Sequence, residues 1–375
     1  MNQLIIEDFL ELVTMNVHSK DEREIGDFLK TQLQELGLEV DEDRTGDIIG
    51  GNTGNLIAVL KGDPKVPSVL FSAHMDRVKN NGRIHPQIDY EKGLISSDGS
   101  TILAADDVAG VCAILDGLRQ IKALNIPHGD IEVVFSVCEE MGVLGAKYLD
   151  YRRIKSKIAY VFDAPGRFGR IVNCGPSKCK LKLTVKGRSA HAGNEPEKGI
   201  NAIKVAAVAL SKIEEGRINT YTTANYGSFH GGDSTNIVCD YVEILGEVRS
   251  AKEGEIEAYL KSVKPILTAV ASEYQAEIEI ESEILYPAFS VAQSEGISSM
   301  AISAMKGMGV EPQFSTSGGG MDGNHFNFNG IQTLGIATGY FKNHTNDEFI
   351  HITDLIKSGT FLVELVKEVN RFKMS

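Results

Sequence analysis

No apolar run in this 375-residue chain approaches the ~20 residues that a membrane-spanning helix needs. The opening residues, MNQLIIEDFLELV, lack a basic segment followed by an apolar stretch and a small-residue cleavage site. No signal peptide is therefore expected, and a cytoplasmic location is. Cysteine is scarce and unpaired. Cys112, Cys138, Cys174, Cys179 and Cys239 are scattered without a CxxC pair, which argues for buried, reduced thiols and against a disulfide framework or a cysteine zinc site. Basic clusters are missing too: 38 Lys+Arg stand against 51 Asp+Glu, a net charge of −13. An acidic surface of this kind repels nucleic acid and anionic membranes, so neither is an expected partner. There is no internal repeat and no low-complexity segment. What is present is ordinary for a globular protein, 42% hydrophobic and 24% charged, at a length that suffices for two domains.

The first forty residues read as two helices, the second with Ser19 or Asp21 as N-cap, apolar positions at helical spacing (Ile25, Phe28, Leu29, Leu33, Leu36) and Gly37 as a stop. Short apolar runs then alternate with helical stretches: NLIAVL, SVLFSAH, a helix over about 108–124, IEVVFSV, a short helix near 143–149, and IAYVFD. The expectation is an α/β domain with a mostly parallel (mixed) sheet and helices on both faces. After Gly175 the pattern changes. CKLKLTVKG alternates strictly, as a sheet with one wet face does. A helix near 200–213, a strand pair in STNIVCDYVEILGEVRS, a helix from Gly254 to about Val270 and the strand AEIEIESEIL follow. This β-α-β-β-α-β order is that of an α+β split-βαβ domain. After Pro287 the α/β character resumes, with a helix near 294–308, a strand at TLGIATG and a last helix from Ile352 to Phe372. The expected layout is a discontinuous first domain, 1–176 and 286–375, interrupted by an inserted one, 177–285.

Four apolar runs end in residues able to ligate metal. SVLFSA leads to His74 and Asp76, EVVFSVC to Glu139 and Glu140, IAYVF to Asp163, and TLGIATGYFKN to His344. A fifth candidate, Asp106-Asp107, opens a helix. Sites in open α/β sheets form at the carboxyl ends of strands, so these residues are expected to converge there. Taken singly, each has a plainer reading. His74 and Asp76, two apart in an extended chain, face one way; either both meet a site, Asp76 holds the His74 ring, or the pair is a chance strand end. Asp106 and Asp107 either cap their helix or bind metal, or divide the two tasks. Of Glu139 and Glu140, one can ligate while the other acts as base, and one can be simply solvated. Asp163 fits a turn before Pro165 as well, and His344 a loop. As a set, two histidines and three carboxylates without cysteine suit two divalent ions such as Zn²⁺, Co²⁺ or Mn²⁺. Such a pair sits ~3.5–4 Å apart, which requires a bridging carboxylate.

The segments SAHMDRV, LAADDVAG, CEEMGVLGAK, VFDAPG, GRSAHAG and NHTNDEF resemble the di-zinc metallopeptidases that include carboxypeptidase G and succinyl-diaminopimelate desuccinylase, and AADDVAG and GGGMDG most resemble the peptidase T branch. The resemblance covers nearly the whole chain. It implies that His74, Asp106 and Asp163 hold one zinc and Asp106, Glu140 and His344 the other, with Asp106 as the bridge and Asp76 orienting His74. It implies that Glu139 moves the proton of the bridging water to the leaving amine. The inserted domain would act as lid and homodimer interface and supply His191 to the oxyanion. Asn236 and Arg249 match lid positions near the substrate's polar end, and Gly319, Gly320 and Asp322 match a loop that contacts its carboxylate. These assignments fit the chemistry of oxyanion and carboxylate recognition, although Arg249 would equally pair on a sheet face and Asn236 serve in a turn. Val108 departs from the lysine common after the paired acids, which touches subfamily more than metal site.

The implied activity is removal of the N-terminal residue from short peptides such as tripeptides. An N-acyl-amino-acid deacylase or a carboxypeptidase would use the same machinery. Glutamyl-aminopeptidase-type enzymes share the motifs but insert their extra domain between the His-x-Asp and the bridging Asp; here Asp76 and Asp106 are too close for that. A dinucleotide-binding oxidoreductase finds only a formal GxGxxG at 318–323, with no clear preceding strand expected. A metal-free peptide-binding relative is disfavoured because every ligand candidate and Glu139 are in place.

Overall fold

The computed structural model describes residues 2–80 and 82–371 and divides into two compact units, Met1–Gly175 with Phe289–Ser375, and Pro176–Ala288.

The discontinuous unit is built on a nine-stranded sheet. Its order is Glu39–Glu42, Leu56–Leu60, Ile131–Ser136, Val69–His74, Ile158–Ala164, Gln332–Ala337, Arg170–Gly175 and Phe289–Ser290, with Gln313–Thr316 also pairing Arg170–Gly175. The four strands from Ile131–Ser136 through Gln332–Ala337 run parallel, and antiparallel strands flank them. Every residue of Val69–His74, Ile131–Ser136 and Ile158–Ala164 is buried. Burial on both faces is what an unbroken apolar run encodes, and it requires cover on each side. The helices Asn2–Thr14, Ala105–Ala123, Gly296–Gly307 and Ile352–Arg371 form one packed group; Leu144–Tyr148 and Asp322–Phe328 pack together in another. Gly110 lets Ala105–Ala123 sit close to the sheet: a Cβ there would lie 2.4 Å from the Phe162 carbonyl oxygen and 2.5 Å from Asp107 Oδ1. The second helix starts at Arg23 with Glu22 as N-cap, one residue past the expected Asp21. The last helix is described to Arg371; its expected end at Phe372 lies outside the described residues. None of the described helices is long and apolar enough to cross a membrane.

The inserted unit is an antiparallel sheet in the order Gly216–Arg217, Thr222–Gly231, Tyr241–Ser250, Ser177–Lys186, Glu277–Tyr286. Leu181, Leu183, Val185, Val242, Ile244 and Val248 share a core with Val205 and Ala209 of the helix Ala202–Lys212 and with Ile256, Val263 and Leu267 of Glu255–Tyr274. The opposite face carries a ladder of ion pairs, Lys182–Glu243 at 2.9 Å, Lys178–Glu247 at 2.8 Å and Lys186–Glu279 at 3.2 Å. One expectation is corrected. The strand paired with Tyr241–Ser250 is not drawn from residues 234–240 but is Thr222–Gly231, TTANYGSFHG. Its mostly polar and glycine-bearing sequence carries little β signal, because much of it lies exposed near the sheet's edge.

Candidate metal centre

Parallel pairing brings the ligand candidates together. His74 ends its strand in register with Ser136, and Glu139-Glu140 follow Ser136 at the same end of the sheet. Asp163 lies at the end of the next strand, beside which Ser72 is paired with Val161. Asp106 comes from the start of the Ala105–Ala123 helix, where its peptide bond to Asp107 is cis. His74 Nδ1 lies 2.9 Å from the Asp76 carbonyl oxygen. A carbonyl only accepts, so Nδ1 carries the hydrogen and Nε2 is left facing acids. Nε2 is 3.0 Å from Asp106 Oδ1 and 3.8 Å from Asp163 Oδ1. On the other side, His344 Nε2 is 3.2 Å from Asp106 Oδ2 and 2.7 Å from Glu140 Oε1. Two ligand groups result, His74–Asp106–Asp163 and Asp106–Glu140–His344, the atoms of each within 4.8 Å of one another. Asp106 belongs to both, one oxygen to each.

Neighbours hold this arrangement. The Asp76 carboxylate accepts from the backbone N–H of Glu139 at 2.9 Å and of Glu140 at 3.3 Å, and from Ser19 Oγ at 2.6 Å, so it braces the acid pair as well as standing 3.4 Å from His74 Nδ1. Asp107 accepts from the N–H of Gly110 at 3.0 Å and of His74 at 3.2 Å; it caps the helix while Asp106 faces the cluster. Tyr340 donates its hydroxyl to Asp163 at 3.0 Å, and Asn343 Nδ2 donates to Asp106 at 2.7 Å. In the sequence Ser19 was a candidate only for a helix N-cap, and Tyr340 and Asn343 were not singled out. Only Asn343 had a signal, its place beside His344.

Charge here is out of balance. Burial, then a neighbouring carboxylate, pushes Asp163 and Glu139 well up in pKa, Asp106 acting on the first and Asp163 on the second. Burial raises Glu140 too, against the hydrogen bond from His344. For His74 burial alone would lower the ring's pKa, but Asp163, Asp106 and Asp76 outweigh it and hold it well above the usual value. Hydrogen bonds to Asp106 and Glu140 lift His344 to about 10. Asp106 goes the other way: against burial, its hydrogen bonds with His344 and His74 keep its carboxyl far below the ordinary range. The ion pairs within the cluster are all between these acids and the two imidazoles. Acids crowded out of water attract positive charge, and a shared carboxylate flanked by imidazoles fits two divalent ions.

The remaining expected site residues lie apart in kind. In the inserted unit, His191 Nδ1 accepts from the N–H of Gly193 and of Asn194, each at 3.1 Å, which leaves the hydrogen of a neutral ring on Nε2. Asn236 accepts from Ala192 N–H through its backbone at 3.0 Å and from Ser234 through its side chain. Arg249 donates to Glu247 at 2.7 Å. In the discontinuous unit, Gly319 and Gly320 sit half-buried on a loop, Gly319 N–H donating to Ser317 Oγ at 3.1 Å. Asp322 is 1% exposed and accepts from Ser136 Oγ at 2.5 Å and Ser72 Oγ at 3.4 Å, which roots its loop in the sheet. Burial raises its pKa to about 6. The 318–323 glycines do follow a strand, Gln313–Thr316, but the helix they open, Asp322–Phe328, is short and begins on this buried acid.

Acid–imidazole clusters at the carboxyl edge of a sheet buried on both faces, in a chain interrupted by an α+β unit, fit a metal-dependent hydrolase. The comparisons agree. The peptidase dimerisation domain of the M20 type matches residues 177–275, and peptidase family M28 matches 55–195. The chain is 40% identical to the uncharacterized protein YqjE of Bacillus subtilis, covering 97% of this chain and 98% of that one. Among solved structures it is similar to the aminopeptidase PepT of Bacillus cereus (39% identity, TM-score 0.89, covering 98% and 99% of the two chains). It is also similar to a tripeptidase of Staphylococcus aureus (34% identity, TM-score 0.93, 99% of each). The chain belongs to the M20 metallopeptidases and is peptidase T-like within them.

Proposed function

We propose that this protein is a two-metal aminopeptidase that releases the N-terminal residue of short peptides, tripeptides included. The observation that carries the reading is the placement of Asp106, with one oxygen in each of two ligand groups. His74, Asp106 and Asp163 would hold one ion and Asp106, Glu140 and His344 the other, zinc first, with cobalt or manganese as substitutes. Ions bound there supply a Lewis acid for the scissile carbonyl and promote ionisation of water.

The chain's own residues do the rest. Glu139, whose carboxylate is made a stronger base by burial and its acid neighbours, takes a proton from the attacking water and passes it to the leaving amine. Asp76 keeps His74 and the Glu139-Glu140 backbone in register. His191, with Nε2–H free of its Nδ1 contacts, donates to the oxyanion. Asn236 and Arg249 would meet the polar end of the substrate, and the loop of Gly319, Gly320 and Asp322 its carboxylate. The inserted unit supports a homodimer: it matches a peptidase dimerisation domain, and beyond Ala224 the outer edge of Thr222–Gly231 has no strand partner among the described residues. In the cytoplasm the five cysteines, none bridged, would stay reduced. Preference for the amino terminus rests on the two solved relatives, an aminopeptidase and a tripeptidase.

Mass spectrometry of the products tests this. Zinc-loaded protein is incubated with a free tripeptide and its N-acetylated form, with and without a chelator. Only the free peptide should lose its first residue, and chelator should stop it. Release of the acetyl group or of the C-terminal residue would make the protein a deacylase or carboxypeptidase of the family. No product under any condition would favour a metal-free peptide binder.

A further inference from the structure

Glu348 lies a few residues past His344, immediately before the strand Phe349–His351. It is 1% exposed, an expensive place for a carboxylate. Its oxygens are fully engaged by one short stretch of backbone. Oε2 accepts from the N–H of Leu103 and of Ala104, each at 2.8 Å, and Oε1 from the N–H of Asp106 at 3.2 Å. Within that stretch Ala104 has φ +61°, a left-handed conformation that a residue with a Cβ disfavours. The same region is tied a second time, by antiparallel pairing of Phe349–His351 with Leu94–Ser96.

Glu348 therefore links the segment carrying His344 to the segment carrying Asp106, the carboxylate common to both ligand groups. We propose that Glu348 is a positioning residue of the metal centre, holding the 103–106 backbone so that Asp106 offers one oxygen to each ligand group. The proposal rests on the two-metal reading above. Three N–H groups converging on one side chain require an acceptor with no hydrogen of its own. A glutamine would satisfy Leu103 and Ala104 through its carbonyl but turn its NH₂ toward the Asp106 N–H, donor against donor.

Glu132 provides a matched control. It too is 1% exposed and accepts backbone N–H groups, from Lys155 and Ser156, but at the opposite end of the sheet's strands. The full-length wild type, Glu348→Gln and Glu132→Gln are stripped with chelator and titrated with Co²⁺. Calorimetry reads affinity and stoichiometry, and the visible absorption of bound cobalt reads ligand geometry. Wild type is expected to bind two ions. Glu348→Gln should bind at least one of them about 10–100-fold more weakly, with a changed absorption spectrum. Glu132→Gln should melt at lower temperature yet bind as wild type does. Unchanged affinity and spectrum in Glu348→Gln overturn the proposal, and so does an equal loss in Glu132→Gln, which would mark a general effect of stability. Wild type that binds no ion overturns the metal reading itself, a distinct result. If Glu348→Gln does not fold, Glu348→Asp, which keeps both acceptors but withdraws them by a methylene, is read in its place: weaker binding supports the proposal and wild-type binding overturns it.

Discussion

The two units of this chain each concentrate charge on a sheet, to opposite ends. On the inserted unit, Lys178, Lys182 and Lys186 alternate along one strand and meet Glu247, Glu243 and Glu279 on its two neighbours, in water and in balance. In the discontinuous unit, Asp106, Asp163, Glu139 and Glu140 gather around the imidazoles of His74 and His344, away from water and with acid in excess. Exposed, balanced pairs are worth little because water already solvates their members. Crowded acids with little water around them raise one another's pKa and attract cations, which is why one patch is a surface and the other a candidate metal centre.

Removing the acid common to both ligand groups should break the contrast most completely. Asp106→Asn is expected to abolish peptide hydrolysis, a loss beyond about 10⁴-fold in kcat/KM, together with loss of bound metal measured by elemental analysis. Activity near that of wild type would mean that Asp106 is only a helix-start residue. Glu139→Gln separates chemistry from metal binding. Metal content should stay at the wild-type level while kcat falls by about 10²–10⁴-fold; retained turnover would leave the proton shuttle without its base.

A third substitution asks whether burial raises the cost of an acid outside the ligand groups. Glu22 Oε1 accepts from the N–H of Lys20 and of Cys138, each at 3.0 Å, while Oε2 meets no donor among the described residues. Burial, and then Asp76, raises its pKa from 4.5 to about 7. Between those values the folded protein keeps a proton that the unfolded chain has released, so stability falls as pH rises through this window and stays lower above it. Glu22→Gln keeps the acceptor and removes the charge. In metal-stripped protein it should match wild type near pH 4.5 and be more stable at about pH 8, by about 1–3 kcal/mol in urea unfolding. Equal stability at both pH values would show that Glu22 titrates normally. The smallest effect belongs to the ladder: Lys182→Gln should leave the melting temperature within roughly 2 °C of wild type, and a larger drop would make the exposed pairs more than a solvated face.

Legibility in the sequence followed the same division. Apolar runs such as SVLFSAH, EVVFSV and IAYVFD announced strands covered on both faces, and the acids and histidines at their ends announced the cluster, because a buried strand tolerates charge only where it emerges. Strict alternation in CKLKLTVK announced the one-sided sheet of the inserted unit. The strand Thr222–Gly231 stayed hidden, since an exposed strand near an edge needs no apolar face. The burial of Asp322 was hidden too, since the two serines beneath it, one on each of two adjacent strands, lie far from it in the chain.

The sequence by itself determined most of the elements, Thr222–Gly231 excepted, and which side chains follow the buried strands, because periodicity and residue type are local properties. Tertiary structure decided how Asp106 is shared, which of Asp106 and Asp107 faces the cluster, and which distant groups brace it: Ser19, Tyr340 and Glu348. Those are contacts between segments far apart in the chain, set by strand order and register, and no local pattern encodes them.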